Sequence, residues 1–275
     1  MIDLHMHTQF SDGKDWHTDH IARAKELGIR KMGIADHICL EPVKWAVDSD
    51  QIANMTNRMV ELKKENSDEF NLLFGIEVDY FPGREQEIQS IIELIPVDYA
   101  IGSIHFLGDW NYDTDKNGYE DKDIDALYHH YFETVQKAAQ SGLFDILGHL
   151  DLIKKFQIWP NSNMTELYRK TAQVIAENDV VVELNTSGID RPCGEFFPNR
   201  EILELLCEHG VKVTMGSDAH RTEQVGRHFQ RGIELLQEIG FKELCYFEKR
   251  KRYSIAFNEL NLPWTKKEMN ETNCI

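Results

Sequence analysis

One pattern recurs along this chain: histidines and carboxylates stand where short apolar stretches end. These residue types are common protein ligands of zinc, iron and manganese. Because alternate residues of a strand share a face, His5 with His7, and Asp218 with His220, can each direct two ligands to one point. Gathered without a cation, such groups would repel one another or stay unsatisfied. The pattern therefore predicts a site for several metal ions, built from nine residues: His5, His7, Asp12, His37, Glu77, His105, His149, Asp218 and His220.

Metal ions held in this way activate water. Coordination lowers the pKa of a bound water toward neutrality, and neighbouring ions can hold both the attacking and the leaving oxygen. Imidazoles favour zinc, iron and manganese, whereas carboxylates bridge two ions well. A single histidine at a strand end is weak evidence, but the joint pattern is specific. It predicts a metal-dependent hydrolase.

The elements that must position these residues alternate between strand-like and amphipathic helical stretches. Repeated β-then-α order indicates an α/β fold with a parallel sheet and right-handed crossovers. Nearly every strand delivers a ligand, so the sequence predicts a closed or nearly closed barrel with its site at the carboxyl ends of the strands. The predicted strands are 2–7, 31–36, 72–78, 99–104, 145–149, 180–185 and 211–216. The predicted helices are 18–28, 49–66, 84–95, 123–141, 164–178 and 199–209.

The length of 275 residues suits one large domain. We expect a single barrel domain over residues 1–275, with a polar tail after about residue 258. The longest predicted loop, 106–123, follows a strand that carries a ligand and mixes polar with aromatic residues. It is therefore a candidate substrate lid. Residues 41–45 are further candidates for substrate contact.

The net charge of −17, from 30 basic against 47 acidic residues, counts against a nucleic-acid partner, because contacts to phosphate backbones need tracks of Lys and Arg. A small anionic substrate remains compatible, since metal ions and local cations can attract it. The five cysteines have no CxxC spacing, which predicts reduced thiols. No signal-peptide pattern is visible, and no apolar run approaches the roughly 20 residues of a membrane span. We therefore expect a cytoplasmic protein without a membrane partner.

Capture of a phosphate group requires cations beside the metal ions, and the forked guanidinium of arginine suits this best. Arg191 follows a predicted strand and is the first candidate for binding phosphate. Lys154 and Lys155 follow His149 and are further candidates, and Arg221 is another.

The remaining histidines are expected to bind no metal, because none stands at the end of a predicted strand. Asp36 lies directly beside a ligand position, so its side chain should point to the opposite face of the strand. The histidines set aside in this way are His17, His20, His129, His130, His209 and His228.

These motifs resemble those of the polymerase-and-histidinol-phosphatase (PHP) superfamily, and the resemblance extends from His5 to His220. It implies a distorted (β/α)7 barrel, similar to a TIM barrel, that holds a trinuclear metal centre. Three stretches look like the histidinol-phosphatase branch: residues 100–110 (AIGSIHFLGDW), 148–155 (GHLDLIKK) and 183–188 (ELNTSG).

The resemblance also implies how the ligands divide among two or three divalent ions of zinc, iron or manganese. Glu77 would be shared between two of them. The implied ligand sets are His5, His7, Glu77 and Asp218 for the first ion, Glu77, His105 and His149 for the second, and Asp12, His37 and His220 for the third.

The reaction implied by the resemblance is hydrolysis of the small phosphomonoester L-histidinol phosphate to L-histidinol and phosphate, in histidine biosynthesis. Arg191, with Lys154 or Lys155, would neutralise the phosphate, and Asp218 or His220 would assist proton transfer. The alternatives within the superfamily are a nucleotide phosphatase, an exonuclease and a protein-tyrosine phosphatase, and the acidic composition counts against the exonuclease. A non-catalytic barrel with structural metals is disfavoured, because no ligand position is missing.

Overall fold

The computed structural model describes residues 1–66 and 70–260. In chain order its strands are β1 Ile2–Asp3, β2 Lys31–Ile38, β3 Asn71–Asp79, β4 Tyr99–Ser103, β5 Phe106–Leu107, β6 Trp110–Asn111, β7 Ile146–Leu147, β8 Val181–Asn185, β9 Val213–Gly216, β10 Glu243–Glu248 and β11 Lys251–Ala256. Its helices are α1 His17–Glu26, α2 Ile52–Glu65, α3 Glu85–Leu94, α4 Ile124–Gln140, α5 Thr165–Glu177, α6 Arg200–Glu208 and α7 Phe229–Ile239. None of these helices combines the length and the apolar character that crossing a membrane requires.

Seven strands form one parallel sheet in the order β1-β2-β3-β4-β7-β8-β9. The two ends of the sheet meet where Leu4 N donates to Met215 O at 3.0 Å and His7 N donates to Ala219 O at 2.9 Å. Strands β2 and β3 are buried along almost their whole length, as expected where a sheet is covered on both faces. The predicted α/β barrel of seven strands is thus confirmed as a nearly closed barrel.

The boundaries of several elements differ from the predicted ones. Strand β1 covers only Ile2–Asp3, and the chain beyond it contacts both of its neighbours: Met6 O accepts from Ala35 N of β2 at 2.8 Å, and His7 N donates to Ala219 O at 2.9 Å. Helix α7 and the antiparallel β10–β11 hairpin lie outside the predicted elements. Strand β11 is largely exposed and begins with charged residues, so it lacks the apolar alternation by which a strand is recognised.

Segment 106–123 has more structure than a long loop. It contains the β5–β6 hairpin and a 3-10 helix over Lys116–Tyr119. Two of its tyrosines are buried against the barrel: the Tyr112 hydroxyl donates to Ile104 O, and the Tyr119 hydroxyl donates to Ile153 O at 3.3 Å. The segment is therefore packed against the carboxyl end of the barrel.

Tyr99 fills the barrel interior below the site. Its side chain is fully buried, and its hydroxyl donates to Leu4 O at 2.6 Å. Two strand glycines leave the necessary room: a Cβ on Gly33 would lie 1.8 Å from the Tyr99 hydroxyl oxygen, and one on Gly75 would lie 2.3 Å from its ring. These three residues therefore hold β2, β3 and β4 together around one aromatic side chain.

We expect Gly33→Ala to lower the free energy of unfolding by about 2 kcal/mol, because the added methyl group overpacks this interior. The cost should be smaller in a Tyr99→Phe background, since the hydroxyl oxygen is the closest atom. Chemical denaturation of the parent, both single variants and the double variant measures the difference. An equal loss of unfolding free energy in the two backgrounds would show that the contact with the Tyr99 hydroxyl does not determine the cost of the added methyl group.

Candidate metal centre

Glu77 lies at the centre of the site. It is 1% exposed and sits near the carboxyl end of β3, where His37 on β2 is its partner in register. Imidazole nitrogens surround both of its carboxylate oxygens. The distances to Oε1 are 2.8 Å from His149 Nε2 and 3.8 Å from His105 Nε2, and the distances to Oε2 are 2.7 Å from His37 Nδ1, 3.2 Å from His5 Nε2 and 3.5 Å from His7 Nε2.

A second group of side chains lies nearer the solvent. Asp12 Oδ1 is 3.2 Å from His220 Nε2 and 3.7 Å from His37 Nε2. Asp218 Oδ1 is 3.3 Å from His7 Nε2 and 3.5 Å from His220 Nδ1. The side chains of Asp12 and His220 are 31% and 24% exposed, so this group forms the rim of the cluster. The structure thus brings all nine predicted ligand positions together.

The donor atoms fit metal ions better than they fit one another. Several ligand atoms are buried but form no hydrogen bond within the described part of the chain, although they lie close together: His5 Nε2, both nitrogens of His7, Asp12 Oδ1, His37 Nδ1 and Glu77 Oε2. Buried polar atoms left in this state are costly unless a cation coordinates them. A set of imidazole nitrogens and carboxylate oxygens is the donor chemistry of zinc, iron and manganese sites.

Among the residues that the structure describes, three sets have ligand atoms within 4.8 Å of one another: His7, Asp12, His37 and His220; His5, His7 and Glu77; and His37, Glu77 and His105. They overlap with the three sets that the resemblance implied. His7 and His37 each join one set more than expected. His149 and Asp218 stand outside these sets but contact Glu77 and His7, respectively.

The electrostatics of the cluster favour bound cations. Burial lowers the pKa of His7 to about 3, with further lowering from His37 and His220, which keeps this imidazole neutral. Burial opposes ionisation of Glu77, but His37 and His5 hold its pKa well below the usual range. Burial likewise opposes protonation of His105, but Asp79 raises its pKa to about 10. The centre thus combines buried, ionised carboxylates with imidazoles, and bound cations would offset the negative charge of the carboxylates.

Some residues that shape the site escaped the reasoning from sequence. Asp79 Oδ1 lies 2.9 Å from His105 Nδ1 and orients that ring, and Ser103 Oγ donates to Glu77 Oε1 at 2.6 Å. A signal existed for both, since Asp79 stands two residues after Glu77 and Ser103 two residues before His105, on the same strand faces. Glu183, which contacts His5, gave no comparable signal because it lies inside its strand.

Asp36 faces away from the cluster. It accepts hydrogen bonds from Thr8 N at 2.6 Å, Thr8 Oγ1 at 2.8 Å and Ser11 Oγ at 2.6 Å, and so anchors the loop that leads to Asp12. The six histidines that were expected to bind no metal also lie away from the cluster. His20 contacts the His7 carbonyl, His17 contacts Arg58, His209 contacts the Leu205 carbonyl, and His228 contacts Asp190. His129 and His130 lie on the exposed surface of α4.

A cavity of about 430 Å³ opens above the cluster. Arg191 lines it, and among the described residues no carboxylate pairs with this guanidinium. Lys155 also lines it, with Nζ 2.7 Å from Asp113 Oδ1. The other lining residues are Asp12, His37, Trp45, Glu77, His105, Asn111, Thr114, His149, Leu152, Ser187, Asp218, His220 and Gln224. Two cations therefore face the same space as the metal-ligand cluster.

Lys154 does not line this cavity, contrary to its expected role in binding phosphate. Its Nζ is buried 2.8 Å from Asp151 Oδ2, 2.8 Å from Phe196 O and 3.1 Å from Glu195 Oε2. The reason is local: Lys154 ends a 3-10 turn, so neighbouring lysines point in different directions. Arg221 does not line the cavity either. Glu41, a candidate for substrate contact, does not line it and forms an ion pair with Arg84.

A profile of the PHP domain matches residues 3–187. The chain belongs to the PHP family. A probable histidinol-phosphatase of Deinococcus radiodurans is 27% identical to this PHP chain over 256 residues, which cover 91% of this chain and 98% of the relative. The histidinol-phosphatase of Bacillus subtilis is 26% identical over 263 residues, which cover 84% of this chain and 98% of the relative.

Among solved structures, the histidinol phosphate phosphatase of Lactococcus lactis is similar in fold to this PHP chain. That protein was crystallised with zinc, L-histidinol and phosphate. The TM-score is 0.77 at 22% sequence identity, over 92% of this chain and 98% of the other. At this identity the likeness bears on the fold, and it agrees with the seven-stranded barrel described above.

We expect Glu77→Gln to remove more than one equivalent of metal, because the two oxygens of Glu77 face different groups of histidines. Elemental analysis of metal-loaded protein after gel filtration measures the loss. Asp12→Asn, at the rim, serves as the control and should remove at most one equivalent. Retention of the parent metal content by Glu77→Gln would contradict a shared carboxylate.

Lys154→Met should lower the free energy of unfolding by about 3 kcal/mol, because it leaves Asp151 buried without its charged partner. The matched variant Lys155→Met should cost about 1 kcal/mol or less, since Asp113 opens onto the cavity and can be hydrated. Denaturant titrations of the two variants provide the comparison. Similar losses for both would contradict the assignment of Lys154 to a structural ion pair.

Proposed function

We propose that this PHP-family phosphoesterase hydrolyses L-histidinol phosphate to L-histidinol and phosphate, a step of histidine biosynthesis in the cytoplasm. The observation that carries the proposal is one cavity with a metal-ligand cluster as its floor and Arg191 and Lys155 on its wall. The curated relatives named histidinol-phosphatase, which align with most of this chain, support the choice of substrate. So do the L-histidinol and phosphate bound in the Lactococcus lactis protein.

Glu77 and the eight other predicted ligands would hold two or three divalent ions of zinc, iron or manganese. Such ions supply activation of water and neutralisation of phosphoryl oxygens. The overlapping sets of ligand atoms support more than one ion, because Glu77 and His37 each belong to two of these sets.

In this mechanism Arg191 and Lys155 bind and orient the phosphate through charge-assisted hydrogen bonds. A water molecule gives up one proton as its oxygen attacks phosphorus, the ester P–O bond breaks, and the departing alkoxide takes up that proton to become L-histidinol. Asp218 or His220 carries that proton, since both line the cavity. Trp45 and Asp113 are our candidates for contacting the organic part of the substrate.

Phosphate release from L-histidinol phosphate, measured before and after chelation, tests the function. We expect turnover that chelation abolishes and added zinc or manganese restores. A 3′,5′-bisphosphonucleotide, a phosphotyrosine peptide and single-stranded DNA serve as competing substrates and should be cleaved with a far lower kcat/KM. Preference for one of these over L-histidinol phosphate would support phosphoesterase activity but contradict the proposed substrate.

We expect Arg191→Met to lower kcat/KM for L-histidinol phosphate about 30-fold, the equivalent of about 2 kcal/mol for one lost charge-assisted hydrogen bond. Arg191→Lys should recover part of the loss, because it keeps the charge but not the fork. Arg169→Met, on the outer face of α5, is the matched control. Steady-state kinetics of the three variants decides the point, and parent-like kinetics for Arg191→Met would remove this residue from phosphate binding.

A further inference from the structure

Glu183 is a buried carboxylate that the mechanism above does not use. It lies on β8 and is 1% exposed. Its Oε1 is 2.7 Å from His5 Nδ1, and its Oε2 accepts a hydrogen bond from the backbone N of His149 at 2.9 Å. Asn185 Nδ2 donates to the same Oε2 at 3.1 Å. One carboxylate thus contacts two members of the metal-ligand cluster that come from opposite sides of the barrel.

The neighbouring strand is shaped around this carboxylate. A Cβ on Gly216, at the end of β9, would lie 1.9 Å from Glu183 Oε1 and 2.5 Å from His5 Cβ. The absence of a side chain at this position is what lets Glu183 reach the His5 ring. The contact is therefore built into the backbone of two strands.

We propose that Glu183 is a positioning residue. It fixes the tautomer of His5, which faces one oxygen of Glu77, and the position of His149, which faces the other. The inference rests on the metal centre of the proposed function, but not on the identity of the substrate. Glu183 already accepts from the backbone N–H of His149 and from Asn185, and the same carboxylate lies 2.7 Å from His5 Nδ1, so His5 carries its proton on Nδ1 and donates it to Oε1. Its Nε2, which lies 3.2 Å from Glu77 Oε2, then keeps a free lone pair for a metal ion.

The same carboxylate holds the other side of the centre. His149 Nε2 lies 2.8 Å from Glu77 Oε1, and the backbone of His149 is held by Glu183. Asp79, by comparison, contacts one member of the described metal-ligand cluster, the ring of His105. Glu183 therefore sets the spacing between ligands on both oxygens of Glu77, and its loss should affect metal binding more than the loss of one hydrogen bond would.

Glu183→Gln is the sharpest test, because the amide keeps the shape but gains two N–H donors. If the amide nitrogen faces His5, the imidazole must accept at Nδ1 and carry its proton on Nε2, which blocks the metal-facing atom. If the nitrogen faces His149 instead, it opposes the backbone N–H. The first orientation thus blocks the metal-facing nitrogen of His5, and the second displaces the backbone of His149. We expect the affinity for zinc to fall about 10–100-fold, measured by competition with a chromophoric chelator on metal-free protein.

Asp98→Asn is the control, since Asp98 is also a buried carboxylate that accepts from two backbone N–H groups, of Phe74 at 2.8 Å and Lys249 at 3.0 Å, and its ion pair with Lys63 lies away from the metal-ligand cluster. This control should lower the melting temperature while zinc affinity stays at the parent value. Zinc should raise the melting temperature of Glu183→Gln by less than it raises that of the parent.

Parent-like zinc affinity in Glu183→Gln, with reduced stability alone, would overturn the positioning role and leave the proposed function intact. Failure of the parent protein to bind zinc, iron or manganese would contradict the metal centre itself, and the inference with it.

Discussion

A buried carboxylate surrounded by imidazoles is the interaction on which the rest of this molecule depends. Glu77 has almost no exposure to solvent, and histidine nitrogens approach both of its oxygens. Within the described part of the chain, Glu77 Oε2 and both nitrogens of the neutral His7 ring are buried without a hydrogen-bond partner, which is costly in a dry interior. Divalent cations resolve that conflict. The arrangement accordingly makes metal binding part of the stability of the site as well as of its chemistry.

The barrel is what allows ligands from distant parts of the sequence to meet at Glu77. Parallel strands end at one rim, and closure between Leu4 and Met215 brings the first and last ligands together. This much could be predicted, because the β-then-α order and the strand-end ligands are local signals in the sequence. The short extents of β1 and β7 could not, since pairing across the barrel decides where those strands stop. Strand β11 gave no apolar signal because it is mostly exposed.

The candidate site was predictable to the extent that strand geometry governs it. His5 and His7 share a face because alternate residues of extended chain do, and the same rule would have found Asp79. It does not extend into turns, where Lys154 and Lys155 follow one another but point to a buried ion pair and to the cavity, respectively. Contacts such as that of Glu183 with His5 depend on which strands become neighbours, and only the closed barrel defines them.

The most direct measurement is a crystal structure of the zinc-loaded protein with anomalous scattering recorded at the zinc edge. Two or more anomalous peaks should lie around Glu77, with its two oxygens about 2.0–2.2 Å from different ions. A single ion, or ions bound without Glu77, would contradict the account, because the geometry of the site depends on that carboxylate being shared.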